Sequence, residues 1–329
     1  MWARRLPRSW IVVAVAASLV TAACAATPHP AADPSSCRGD AGPLTIATGN
    51  ATGVYAALGG ALARAVSAGS PIEATAVVSG STLRNVQQLS TGEYDIAFAQ
   101  ADSAADAVRG QGVFAEPQKI RALARIYSDY THVIVLADSG ITTMADFRGK
   151  RISTGSPRSG TELIADRLLT AAGLDRAKDV QAQSLDLAAT VAAIRAGSID
   201  GFVWSGGLPT GAISDLFAAA GSKLRFVDVS SLLPAMQKTD DVYAAGRIPA
   251  ATYNTPGDVP TIALPNLLVV RDDFSQANAC AVTRILFQQK AALAAVVPAA
   301  SGLDPAIASE TGAVELNAGA RAALAQLTG

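Results

Sequence analysis

Two segments of the chain repeat each other. LTIATGNATGVYAALGGALARAV (44–66) and RISTGSPRSGTELIADRLLTAAG (151–173) each open on a short strand that ends in Thr-Gly, at Thr48-Gly49 and Thr154-Gly155. Each then passes through a small polar loop to a second glycine, Gly53 or Gly160, and enters a run with apolar residues at helical spacing. Downstream, LRNVQQLSTGEYDIAFAQAD and ATVAAIRAGSIDGFVWSGG repeat a helix, a Gly-x-x-Asp turn (Gly92 to Asp95, Gly197 to Asp200) and a strongly apolar strand. The first pair of landmarks is offset by 106 residues and the second by 105. A nearly constant offset predicts two lobes of similar topology, each an α/β sandwich with a mostly parallel sheet.

In such sheets ligands sit beyond the carboxyl ends of the strands, beside helix N-termini. Both Thr-Gly loops occupy that position, so two facing lobes bring them to one cleft. The segments THVIVLAD (131–138) and TIALPNLLVV (261–270) fit crossover strands between the lobes. The expected division is an export signal over 1–23, a flexible tether over 24–43, lobe one over 44–131 plus 266–329, and lobe two over 132–265. Two crossings make a hinge, which allows closure on a ligand.

The glycine-rich loop is not a nucleotide loop. A P-loop needs a lysine after its second glycine, but Gly53 precedes Val54-Tyr55, and Gly49 and Gly53 are too far apart for a dinucleotide fingerprint. The loop offers backbone amides at a helix start with Thr48, Asn50, Thr52 and Tyr55 around them, and the second lobe offers Ser156, Arg158, Ser159 and Thr161 around Gly155 and Gly160. Helix starts attract anions, so a small carboxylate is the expected guest, although Ser, Thr and Asn at such places also serve as plain helix caps. Another donor-rich helix start follows at Ser79-Gly80-Ser81-Thr82. The strand 96–99 delivers Gln100 and Asp102 to the same edge, and its counterpart delivers Trp204 through Pro209. Trp204 reads either as core or as a cover over the ligand.

An enzymatic reading finds little support. The chain has no G-x-S-x-G and no S-x-x-K, and its two histidines are His29 in the tether and His132 at a proposed crossover, where a structural hydrogen-bonding role is expected. Asp240-Asp241 and Asp272-Asp273 read as solvated turns. No cofactor motif and no Cys/His spacing for a metal is present.

Half of the 329 residues are hydrophobic and 16% are charged, a globular composition with a sizeable core. The first residues show a basic start, an apolar run from Trp10 to about Val20 and small residues before Cys24, which reads as an export signal too short to span a bilayer. The formal charge of −1 includes Arg4, Arg5 and Arg8, so loss of this segment leaves −4. With no basic patch, nucleic acid is not an expected partner. Val20-Thr21-Ala22-Ala23-Cys24 resembles a bacterial lipobox, with Thr21 where an aliphatic residue is usual, and implies lipidation of Cys24 as against ordinary cleavage nearby. Cys37 and Cys280 then pair in a disulfide or stand as separate buried thiols.

TGNATGVY, VSGSTLRNVQQLSTGEYDIAFAQAD, ISTGSPRSGTELIADRLLTAAGL, IRAGSIDGFVWSGGLPTGAI and DVPTIALPNLLVVRDD resemble, in order, the TAXI family of TRAP-transporter solute-binding proteins. The resemblance covers nearly everything after Leu44. It implies a two-lobed fold of the periplasmic-binding-protein type (type II) with two crossover strands as hinge. It further implies a monomer, held outside the cell membrane, that captures a small organic acid or amino acid, a dicarboxylate or glutamate-like, for a TRAP permease. Carried over by residue, the ligand region falls on Gly49, Asn50, Gly53, Tyr55, Ser79, Ser81, Asn85, Gln100, Ser156, Ser159, Gly160, Thr161, Trp204 and Pro209. A lipid-tethered sensor that reports its ligand state to a signalling receptor would use the same cleft.

Overall fold

The computed structural model describes Trp2 and residues 37–80 and 82–329. The account below concerns the compact unit that ends at Gly329. The export signal, most of the tether, Cys24 and Ser81 lie outside the described residues.

The strands follow in chain order: β1 (Gly42–Ala47), β2 (Ile72–Val77), β3 (Ile96–Gln100), β4 (Ile120–Leu136), β5 (Arg151–Ser153), β6 (Gln181–Gln183), β7 (Gly201–Gly206), β8 (Leu224–Phe226), β9 (Ala244–Ile248) and β10 (Val259–Arg271). They form one sheet in the order β2-β1-β3-β10-β4-β7-β5-β6, with β8 on β4 and β9 on β10. The two ends of this order mirror each other. β1 pairs in parallel with β2 and β3, and β5 pairs in parallel with β6 and β7. At the middle, β10 runs antiparallel to β3, β7 runs antiparallel to β4, and β4 and β10 pair with each other. The strand–helix alternation repeats as well: α1 (Val54–Gly69), α2 (Thr82–Ser90) and α3 (Ala101–Arg109) in the first half, α4 (Gly160–Ala171) and the helices Leu187–Arg195 and Gly211–Ala220 in the second.

Each half has its own apolar interior. In the first, Ile46, Phe98, Leu123 and Val269 are fully buried and pack with Leu58 and Leu62 of α1 and with Val282 and Leu286 of the helix Gln276–Gln288. In the second, one face of the sheet packs Val133, Ile152, Ile164 and Leu168 together, and the other packs Ile134, Phe202, Ile213 and Leu216. Val133 and Ile134 are neighbours on β4 and enter opposite clusters, as the two-residue period of a strand requires.

β4 is longer than the apolar run at 131–138 suggests. It begins at Ile120, and its first part, IRALARIYSDY, mixes Arg125 and Asp129 with buried Ala122, Leu123 and Ala124. The polar residues hide the strand from a pattern of continuous apolar residues. A second difference lies at Asp240, expected in a solvated turn. Its side chain is buried and accepts from Arg109 Nη1 at 2.8 Å.

Cys37, on the segment before β1, is bonded to Cys280 in the helix Gln276–Gln288, with Cα atoms 4.8 Å apart and a sequence separation of 243. Closing so long a loop removes much entropy from the unfolded chain. The double substitution Cys37→Ala with Cys280→Ala is expected to lower unfolding stability by about 2–5 kcal/mol, read as a lower urea midpoint. An unchanged midpoint would show that this cross-link does not constrain the unfolded chain.

Candidate functional site

Between the two halves lies a cavity of about 50 Å³, three to five times the roughly 10–15 Å³ that one water needs. Its walls come from both halves. The first contributes the loop and start of α1 (Gly49, Asn50, Gly53, Val54, Tyr55), Gly80 and Thr82 at the start of α2, Gln100 at the end of β3, and Tyr127 and Asp129 on β4. The second contributes Ser159, Gly160 and Thr161 at the start of α4 and Trp204 through Gly207 at the end of β7. Helix starts therefore face the cavity from both sides. Ser159 caps α4 by accepting from the Glu162 N–H, whereas Gly53 brings no side-chain cap to α1.

The halves meet across this cavity. Gln100 Nε2 donates to Ser205 Oγ at 2.8 Å and to Asp129 Oδ2 at 2.8 Å. A Cβ at Gly160 would stand 1.6 Å from Gln100 Oε1, so only glycine lets α4 approach this closely. Further out, the Leu83 N–H donates to the Arg158 carbonyl at 3.2 Å and Ser156 Oγ to Asn50 Oδ1 at 3.3 Å. Arg158 holds a left-handed φ of 59° and its guanidinium reaches Gln87 Oε1 at 3.1 Å. Behind these contacts Arg167 of α4 donates to Asp102 at 3.1 Å and to Asp106 at 2.7 Å, both on α3. Burial raises the pKa of both aspartates, and Arg167 counters it.

The floor is set by β4 and β10. Tyr127 and Asp129 are two residues apart and share one face of β4. Opposite them the β4–β10 register shifts between Pro265 and Leu267, at Asn266. Such irregularities re-aim a side chain. Asn266 accepts from Tyr55 O–H and donates to the Tyr127 carbonyl at 3.3 Å. Burial pushes Asp129 up to about 6, although Gln100 and the nearby Asn266 amide favour its charged form. Burial likewise raises Tyr55 and Tyr127 well above the ordinary phenol value.

Residues 46–325 match the model of the NMT1-like family. The chain belongs to the NMT1-like family. Among solved structures it is similar to a protein of Bordetella bronchiseptica at 16% identity, covering 87% of this chain and 98% of that one, with a TM-score of 0.55. It is also similar to the binding-protein component of an ABC phosphonate transporter from Pseudomonas aeruginosa, at 12% identity over 80% of each chain and a TM-score of 0.53. A Xanthomonas citri protein solved bound to ATP matches at 14% identity over 87% of this chain and 95% of that one, with a TM-score of 0.51. The chain shares its mixed α/β fold with these solved proteins.

On this NMT1-like scaffold the residues expected from the sequence divide three ways. Gly49, Asn50, Gly53, Tyr55, Gln100, Ser159, Gly160, Thr161 and Trp204 line the cavity. Ser79, Ser156 and Arg158 lie in the groove at its mouth, which Asn50 also reaches. Asn85 and Pro209 line neither. Asn85 is fully buried and spends its amide N–H groups on the carbonyls of Thr48 and Phe98, with Ser79 donating to its oxygen, so it ties β1 to β3. Pro209 is exposed beyond the end of β7. Thr82, Ser205 and Gly207, which the sequence brings to the same edge, line the cavity as well, and Tyr127 and Asp129 line it without having been expected there. For Asp129 a signal existed: an acidic residue within SDYTHVIVL has no place on a buried strand without a partner.

Trp204, buried in the wall, is held by a hydrogen-bonded chain. Its indole N–H donates to Thr210 Oγ1 at 3.2 Å, the Thr210 N–H donates to Tyr253 Oη at 2.9 Å, and Tyr253 Oη lies 2.9 Å from His132 Nε2. His132 Nδ1 faces the Tyr130 carbonyl at 2.8 Å. A carbonyl only accepts, so Nδ1 carries the proton and Nε2 accepts from Tyr253. Burial lowers the His132 pKa to about 4 from 6.5.

The unfolded chain therefore binds a proton at His132 before the folded one does. This contribution to stability is complete above pH 6.5 and is lost as pH falls towards 4. Relative to a His132→Gln variant, the native protein is expected to lose roughly 3 kcal/mol of unfolding stability over that interval. Parallel pH curves for the two proteins in urea denaturation would show that His132 does not titrate in this way.

Proposed function

We propose that the chain is an extracytoplasmic solute-binding protein that closes its two lobes on a small organic acid or amino acid and delivers it to a membrane permease. The reading rests on one observation above others: a half-open cavity lined by helix starts from both halves and bridged by the Gln100–Ser205 hydrogen bond. β4 and β10, shared by both lobes, are natural hinge elements, because each lobe rotates about a pair of extended strands without losing its own core. Membership of the NMT1-like family and the fold shared with a phosphonate-transporter component support a binding role over a catalytic one. A TRAP-type permease as the receiving partner rests on the resemblance to TAXI proteins read from the sequence, and lipid tethering rests on Cys24.

Ligand that binds only the folded state raises stability by about 2.7 kcal/mol at one hundred times its Kd. Protein purified without denaturation is expected to carry a small solute, visible by native mass spectrometry as an added mass that dilution and dialysis remove. The dialysed protein should melt at a lower temperature and recover on return of the dialysate. No added mass, together with no shift in melting temperature across a broad panel of acids, amino acids, sulfonates and phosphonates, would rule out the reading.

A further inference from the structure

The cavity carries charge of one sign only. Among the described residues that line it there is no Lys, Arg or His, and Asp129 is its one carboxylate. Arg158, the basic residue expected at the site, lines the outer groove and not the cavity. Asp129 is 3% exposed, and only its Oδ2 has a partner, Gln100 Nε2. Oδ1 has none, and neither does the hydroxyl of Tyr127, also 3% exposed. Gln100 gives its two N–H groups to Asp129 Oδ2 and Ser205, and Asn266 gives one of its two to the Tyr127 carbonyl and keeps the other near Asp129, where it favours the charged carboxylate.

A buried carboxylate oxygen and a buried phenol without partners are costly to keep. They are natural partners for a donor brought by the solute. A ligand that is purely anionic, whether a dicarboxylate, an alkylsulfonate or an alkylphosphonate, would enter beside Asp129 with helix-start amides to receive it but no cation to offset the carboxylate.

Taking the solute-binding reading above as its basis, we infer that the cavity selects small solutes bearing a protonated amine, which Asp129 receives on Oδ1 with Tyr127 alongside. Amino acids and aminoalkyl acids fit this class, and simple acids of the same length do not. The acid group of such a solute has the uncapped start of α1 at Gly53 within the same cavity. Burial drives Asp129 towards its neutral form, and an ammonium against it restores the charged one, as an opposite charge in contact does. Asp102, whose charge also raises the Asp129 pKa, is already paired with Arg167.

Matched pairs of solutes that differ only in the amine test the inference on the unaltered protein. Calorimetric titration of dialysed protein would compare glutamate with glutarate, taurine with ethanesulfonate, and 2-aminoethylphosphonate with ethylphosphonate. The amine-bearing member of at least one pair is expected to bind more tightly than its partner, and Asp129→Asn is expected to weaken that binding roughly 10- to 100-fold, the range for loss of a charge-assisted hydrogen bond. Circular dichroism of the variant would establish that it folds, and Asp129→Glu should bind more tightly than Asp129→Asn. An amine-free acid that binds as tightly as its amine counterpart would overturn the inference while leaving the solute-binding role intact. Absence of binding by every member of every pair, with no solute retained on purification, would remove both.

Discussion

The pairing of β4 with β10 is the constraint on which the rest depends. These two strands stand at the middle of the one sheet, where its two halves meet, so any change in their register would move the floor of the cavity and both halves together. A strand offers alternate side chains to opposite faces. β4 uses that rule to place Val133 and Ile134 in separate cores and Tyr127 and Asp129 on the cavity side. Where a regular ladder would set Asn266 squarely against a partner on β4, the register shifts, and its amide serves Tyr55 and the Tyr127 carbonyl instead.

Around this floor the two lobes supply equivalent parts. Each ends a central strand at the cleft, β3 with Gln100 and β7 with Ser205, and these two side chains join directly. Each starts a helix there as well, α1 at Gly53 and α4 at Ser159. The equivalence is not complete, since one helix start is capped and the other is not, and the acidic group comes from the shared strand. The cavity thus has a chemical polarity that two identical halves would lack. The ion pairs of Arg167 with Asp102 and Asp106 lie behind it and join α4 to α3, the helix that follows Gln100.

Much of the site was legible in the chain because it sits at repeated landmarks. The Thr-Gly loops, the second glycines and the strand ends recur at nearly constant offset, and nine of the residues expected from them line the cavity. Asn85 has the right chemistry in the right neighbourhood, yet it turns inward to tie β1 to β3. A side-chain amide on an amphipathic helix gives no sequence signal of which way its hydrogen bonds run. Asp240 misled for a similar reason: it is buried and accepts from Arg109, a partner 131 residues away.

By itself the sequence determined that a strand–helix order with glycine-bearing helix starts would occur twice, because periodicity, glycine placement and the internal repeat are local properties that act wherever the chain goes. It also excluded a nucleotide loop, since the lysine and the glycine spacing are absent. Only the tertiary structure decided the character of the cavity. Tyr127 and Asp129 lie in a stretch whose polar residues look like a solvated edge, and they become buried because β10 on one side and β7 on the other enclose β4. Arg158 was the charge expected at the ligand, and the closed arrangement places it at the rim. Burial and partner choice depend on residues distant in sequence, so the sign of the charge in the cavity was settled by packing.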